Sequence, residues 1–208
     1  MEGDRDRPLD LLPIGAPSPA RSPAPRAIRS LRPNLTQAEA VERLRGGLAG
    51  LPGWLGGGPL RSVADVYVPF RLYRVELDTG RGPQVSWLAI DAVRGLLDPY
   101  RFEAPPEAAE LVELTTRNCP QAGLAEAESA ALVEEKVRRV AFQAGFFRVR
   151  TLRMRAELLP LPLHVPFWVG FYGTDGALRL RVLDAVRRCF EGGKARELFR
   201  EWLASRDT

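Results

Sequence analysis

The stretch VYVPFRLYRVELDTGRGPQVSWLAIDAVRG, residues Val66–Gly95, decides the fold. Val66, Val68, Phe70 and Leu72 alternate with Tyr67, Pro69, Arg71 and Tyr73, the two-residue period of a strand with one buried face. LDTGRGP supplies a turn, and Val85, Trp87 and Ala89 resume the alternation on a return strand. Asp91 ends that strand, where a short carboxylate side chain holds turn amides. Pro69 has no N–H to give a ladder, which predicts an edge position or a bulge. The same spelling returns in LHVPFWVGFYGTDGALRLRVLDAVRR, Leu163–Arg188, with V-P-F, two apolar runs and D-A-V-R in the same order. With Pro69 set on Pro166 and Asp91 on Asp184, the copies differ only by a first turn four residues longer. Such self-similarity is the signature of a repeated supersecondary unit.

Outward from the hairpins, Thr36 opens a helix with a T-Q-A-E capping box, and Val41, Leu44 and Leu48 share one face of it. LPGWLGGGPL reads as a loop, with Trp54 and Leu55 turned toward the core. Between the copies the sequence predicts a Pro-initiated helix over 106–114, a loop, and a longer helix over 124–144 on the stripe Val133, Val137, Val140 and Ala144. FFRVRTLRMRAEL reads as a strand, and a last helix spans 194–205 with Leu198, Phe199, Trp202 and Leu203 on one face. The expected organisation is a disordered Pro- and Arg-rich tail over 1–33, a first helix-plus-hairpin unit over 34–103, a linker with a short helix over 104–123, and a second unit over 124–208. The fold class is therefore α+β: two tandem related units, each an amphipathic helix packed on an antiparallel sheet, forming a pseudo-dimer.

The return strand ending in DAVRG, Asp91–Gly95, resembles the Asp-Ala-x-x-Gly ending of PepSY-type, cystatin-like modules, in which a helix lies across an antiparallel sheet. The second copy ends in DAVRR, without the glycine. PFW, Pro166–Trp168, is also similar to a family of uncharacterised bacterial proteins in which such a strand precedes a hairpin. The PepSY resemblance implies a non-catalytic binding or inhibitory module, usually in exported or membrane-attached proteins.

Composition narrows the chemistry. The chain of 208 residues is 45% hydrophobic, enough for a core without staples. Of 30 basic residues only Lys136 and Lys194 are lysine, a bias that, with abundant Ala, Gly, Leu and Pro, reads as GC-rich bacterial coding. The formal charge of +4 and a pI near 9.5 tolerate an anionic partner without demanding one. His164 is the only histidine, and Cys119 and Cys189 are too few for a zinc site, so no metal and no cofactor is expected. GWLGGGP is not followed by G-K-S/T and is no phosphate loop; the Gly-Gly-Lys at 192–194 is explained by a helix start. The N-terminal residues carry Glu2, Asp4, Asp6 and Asp10 with no apolar core of a signal peptide, and no stretch has the length of a membrane span, so a soluble cytoplasmic protein without a membrane partner is expected.

Two residue sets are the candidates for function. Tyr67, Arg71 and Tyr73 of the first copy, with His164, Trp168 and Tyr172 of the second, share the strand face opposite the Val/Phe core; they form a ligand or partner surface, the covered face of a sheet packed on both sides, or the seam where the two copies meet. Arg148, Arg150, Arg153 and Arg155 put four cations into eight residues, a set of possible anion contacts unless Glu126, Glu128, Glu134 and Glu135 neutralise them. His164 lacks an oriented partner and Asp91 and Asp184 read as turn caps, which argues against an enzyme. The reading is a non-catalytic binding or scaffold module with a protein partner. A nucleic-acid-associated protein using the 148–155 strand is the first alternative. A small-molecule-binding protein or enzyme with a pocket at the unit interface is the second.

Overall fold

The structure, a computed structural model, describes residues 24–46, 58–78, 82–143, 153–173 and 179–205. It is an α+β fold: one mostly open, mixed sheet of eight strands with three helices. The strands are β1 (Arg26–Leu31), β2 (Leu60–Asp78), β3 (Pro83–Asp91), β4 (Tyr100–Phe102), β5 (Leu111–Thr116), β6 (Arg153–Leu158), β7 (Leu163–Tyr172) and β8 (Arg179–Asp184). The helices are α1 (Gln37–Arg45), α2 (Glu126–Gln143) and α3 (Gly193–Ala204). The sheet order is β4-β3-β2-β7-β1-β5, with β6 on β2 and β8 on β7. Among the described residues only the β1–β7 contact, Ser30 opposite His164, is parallel.

The alternation read from Val66–Gly95 holds on its buried face. Val66, Val68, Phe70 and Leu72 are at most 3% exposed, and they meet Leu163, Val165, Phe167 and Val169 of β7 in one core capped by Leu198 and Phe199 of α3. Within β2–β3, Phe70 faces Asp91; within β7–β8, Phe167 faces Asp184. Between them, β2 and β7 pair with Val66 opposite Phe167, Val68 opposite Val165, and Phe70 opposite Leu163. β6 continues β7 along the same side of β2, from Leu158 opposite Tyr73.

Pro69 sits in a central strand, contrary to the edge or bulge expected. Its carbonyl accepts from Ala92, and the Tyr67 N–H, on the same side, reaches the Asn118 carbonyl. By the alternation of an antiparallel strand the Pro69 nitrogen points to that side too, where β3 has just ended, so no ladder bond is lost. Pro166 repeats the arrangement, with its carbonyl accepting from Ala185 beyond the end of β8.

Both aspartates are fully buried turn caps. Asp91 Oδ1 accepts from the Val93 and Arg94 amides and Oδ2 from Leu97; Asp184 Oδ1 accepts from Val186 and Arg187. The turns they hold end at a left-handed residue in each case, Gly95 at φ 70° and Arg188 at φ 60°. A left-handed conformation costs a side-chain-bearing residue about 1–2 kcal/mol, while glycine adopts it freely. Arg188 donates to Glu39, an exposed and solvent-screened pair. Arg188→Gly is therefore expected to stabilise the protein by about 0.5–1 kcal/mol, a rise of roughly 2 °C in Tm by calorimetry; a fall would mean that the side chain contributes more than the strain it carries.

α1 and α2 cover the face opposite the Val/Phe core, which α3 caps. The Thr36 capping box is formed, with Thr36 Oγ1 accepting from the Glu39 amide and the Glu39 carboxylate accepting from the Thr36 N–H. α1 lays Ala40 and Leu44, with Leu35 just before its cap, on Trp168, Tyr172 and Leu183, that is on β7 and β8. α2 lays Val133 and Val137 on Tyr73, Val75, Leu88 and Ile90, that is on β2 and β3. Each helix thus lies mainly over the hairpin of the other stretch rather than its own, and 34–103 and 124–208 share one sheet.

Two segments differ from expectation. Within the stretch read as a disordered tail, Arg26–Leu31 forms β1; residues 1–23 lie outside the described residues. The helix expected over 106–114 is a single 3-10 turn, Ala108–Glu110, followed by β5, because Val112, Leu114 and Thr116 alternate with Glu113 and Thr115 and the whole strand pairs with β1 from Leu31 opposite Leu111 to Arg26 opposite Thr116. Residues 47–57, expected as a loop with Trp54 and Leu55 turned toward the core, and residues 79–81 and 174–178, within the expected hairpin turns, also lie outside the described residues.

Candidate functional site

The six side chains expected on one strand face are not a free platform. Arg71 Nη1 donates to the Ala125 carbonyl at 3.3 Å and to Ser129 Oγ at 3.1 Å, and the Tyr73 hydroxyl lies 2.5 Å from the same Ser129 oxygen beneath α2. Tyr73, expected to face outward, is 1% exposed. Trp168 Nε1 donates to the Leu35 carbonyl and the Tyr172 hydroxyl to the Leu44 carbonyl, both tying β7 to α1. The Tyr67 hydroxyl is pushed up to about 12 by burial and, behind it, by the Asp65 carboxylate. His164 Nδ1 meets the Arg29 carbonyl at 3.0 Å, and burial holds its pKa below the ordinary histidine value. Arg71 and Tyr73 thus contact α2, and Trp168 and Tyr172 contact α1 and the residue that precedes its cap.

The arginine strand is only partly within view: Arg148 and Arg150 lie outside the described residues. Arg153 and Arg155 are exposed on β6, while Met154, Ala156 and Leu158 turn toward α2. Their cross-strand neighbours on β2 are Asp78 and Glu76, so acids of the sheet, rather than the expected helix glutamates, stand opposite these two cations.

Cys119 and Cys189 are both free, and burial is the main cause that pushes each thiol up, against a nucleophilic role. Among the described residues no three His, Cys, Asp or Glu side chains gather to hold a metal ion, and no helix is long and apolar enough to cross a membrane.

A different place combines shape with charge. A cleft of about 450 Å³ opens at the β3–β4 edge of the sheet, between α2 and the start of α3. That volume is within the range of small-molecule sites. Its apolar surface comes from Leu77, Val85, Leu88, Val137 and Val140, and Val85 is one of the two large hydrophobic side chains that stand exposed among the described residues. Arg101, Lys136, Arg139 and Lys194 line the same cleft against one acid, Asp98. Arg139 is held by Glu135 one helical turn earlier, at 2.5 Å. Arg101, Lys136 and Lys194 have no hydrogen-bond or ion-pair partner among the described residues. Burial, and then the neighbouring Lys194 charge, hold the Lys136 pKa below that of an ordinary lysine.

The folding logic that builds this cleft is local at each wall. Lys136 flanks the apolar stripe of α2, between Val133 and Val137 that face the sheet and Val140 that faces the cleft. Arg101 is carried opposite Leu88 in the β3–β4 ladder. The 98–101 segment is fixed from below: Arg187 donates to the carbonyls of Asp98 and Pro99, its guanidinium lies 3.8 Å from the Tyr100 ring centroid, and the buried Tyr100 hydroxyl donates to Asp184 Oδ2. Burial chiefly, and then Asp184, drives the Tyr100 pKa far above the usual phenol value, so Tyr100 stays a neutral donor.

Sequence reasoning gives no functional role to the four cations of the cleft, and reads Lys194 as part of a helix start. The available signal was compositional: in a chain that uses arginine almost everywhere, the only two lysines lie along one cleft. Comparison with protein-family models, curated proteins and solved structures returns no match.

Proposed function

We propose that the chain is a non-catalytic binding module, a pseudo-dimer of two related helix-plus-hairpin units that takes a small molecule in the cleft between them. The observation that carries the reading is the composition of the cleft walls, in which β2, β3 and the 98–101 segment together with α2 and Lys194 combine apolar side chains with four cations.

Duplication is supported by pairs of corresponding contacts. Exchanging each residue of the first V-P-F strand for its counterpart in the second turns the Val66–Phe167 pair into Leu163–Phe70 and leaves Val68–Val165 unchanged, the behaviour of a local two-fold axis. Asn34 N–H donates to Ala185 O and Leu124 N–H to Ala92 O, placing the two helix entries on corresponding turns. Glu39 and Glu128 then cap their helices by accepting from the Thr36 and Ala125 amides. The left-handed Gly95 and Arg188 fall at the same step of D-A-V-R-x. The PepSY-like resemblance belongs to the same proposal, as a description of the helix-on-sheet unit and not of its setting. The exposed Arg153 and Arg155 leave nucleic-acid binding as a weaker second reading, because Asp78 and Glu76 stand opposite them.

Anilinonaphthalene sulfonate tests the cleft. The full chain is expected to bind it saturably at one site with blue-shifted fluorescence, and Val137→Trp, which fills the cleft, is expected to weaken it about tenfold while keeping the cooperative melt. Unsaturable binding that ignores Val137→Trp would overturn the reading.

A further inference from the structure

We propose that the ligand of this cleft is an amphiphilic anion, with a phosphate or carboxylate head on Lys136, Lys194 and Arg101 and an apolar body along Val85, Leu88, Val137 and Val140. The inference rests on the binding-module reading and names the chemistry it would serve.

The charge balance is the first support. One acid, Asp98, stands against four cations, and Glu135 engages only Arg139, so the remaining three act on a common space. Like charges gathered along a partly apolar wall repel one another, and a chain that keeps them there holds a stabilising partner in reserve. Lys136 is the clearest case. It is half-buried, and both burial and Lys194 act against its charge. A methionine would fill the same space without that cost, which makes the lysine an unfavourable choice for packing alone.

The apolar wall is the second. Val85 of β3, 40% exposed, lines the cleft, and Val140 extends the α2 stripe past Val133 and Val137, which pack on Tyr73 and Ile90. An inorganic ion alone would leave that surface wet, whereas a head group with a short chain or ring would cover both halves of the cleft. A compact point charge suits the two lysines, each with three rotatable donors, while Arg101 can add a forked contact to the same oxygens.

Calorimetric titration of the full chain tests this with three probes that separate head from body: octyl phosphate, octanol and inorganic phosphate. Octyl phosphate is expected to bind at one site at least about tenfold more tightly than either of the others. Lys136→Met is expected to weaken octyl phosphate about tenfold, to leave octanol unchanged, and to leave Tm equal or higher. A lower Tm with unaltered affinity would make Lys136 structural and overturn the proposal. Octanol binding as tightly as octyl phosphate, still competing with anilinonaphthalene sulfonate, would overturn the anionic head while the cleft stands. If no probe binds or competes, the cleft reading fails with it.

Discussion

Replacing Asp184 with alanine is expected to cost about 3–5 kcal/mol of stability. The carboxylate is fully buried and each oxygen is used: Oδ1 holds the Val186 and Arg187 amides at 2.8 Å, and Oδ2 takes the Tyr100 hydroxyl. Truncation strands three donors in a site closed to water, and Tyr100, 4% exposed, has nowhere to turn. The effect reaches beyond the turn, since Arg187 lies 3.9 Å from the same carboxylate and reaches the Asp98 and Pro99 carbonyls at the edge of the cleft. Asp184→Asn keeps one acceptor for the turn amides and is expected to lose clearly less. Urea denaturation checks both, and a loss under about 1 kcal/mol for the alanine variant would mean that the cap and the tyrosine contact are dispensable.

Phe167→Ala is expected to cost a similar amount, about 3–5 kcal/mol. Phe167 is 1% exposed, stands opposite Val66 on β2 and Asp184 on β8, and sets its ring 5.7 Å from that of Phe199 on α3 at 63°. It is the point where the central pair of strands, the second hairpin and the last helix meet, so the space it leaves has walls fixed from three directions and collapses poorly. A melt that loses cooperativity as well as stability would show α3 detaching; a loss near 1 kcal/mol would show that the core closes over the gap.

The part of the fold legible in the sequence is the part written in short-range pattern. Period-two alternation placed the buried face of β2 and β7, the T-Q-A-E box placed the start of α1, and the two D-A-V-R segments marked the turn caps. What was not legible depends on long-range pairing. RAIRSL lies among prolines and becomes a strand because β5 and β7 flank it. Tyr73 was read as outward because alternation describes one face, and only α2, arriving from fifty residues away, buries the other. The cleft was hidden for the same reason: its cations come from β4, α2 and α3, and no window of sequence holds more than two of them.

Because Lys136 and Lys194 are the only lysines, reductive methylation read by peptide mass spectrometry addresses the cleft without mutating it. In the full chain titrated with octyl phosphate, the account predicts that methylation of both lysines slows together along one saturation curve, with octanol leaving the rates unchanged. Rates at Lys136 and Lys194 that are indifferent to octyl phosphate at saturating concentration would contradict it.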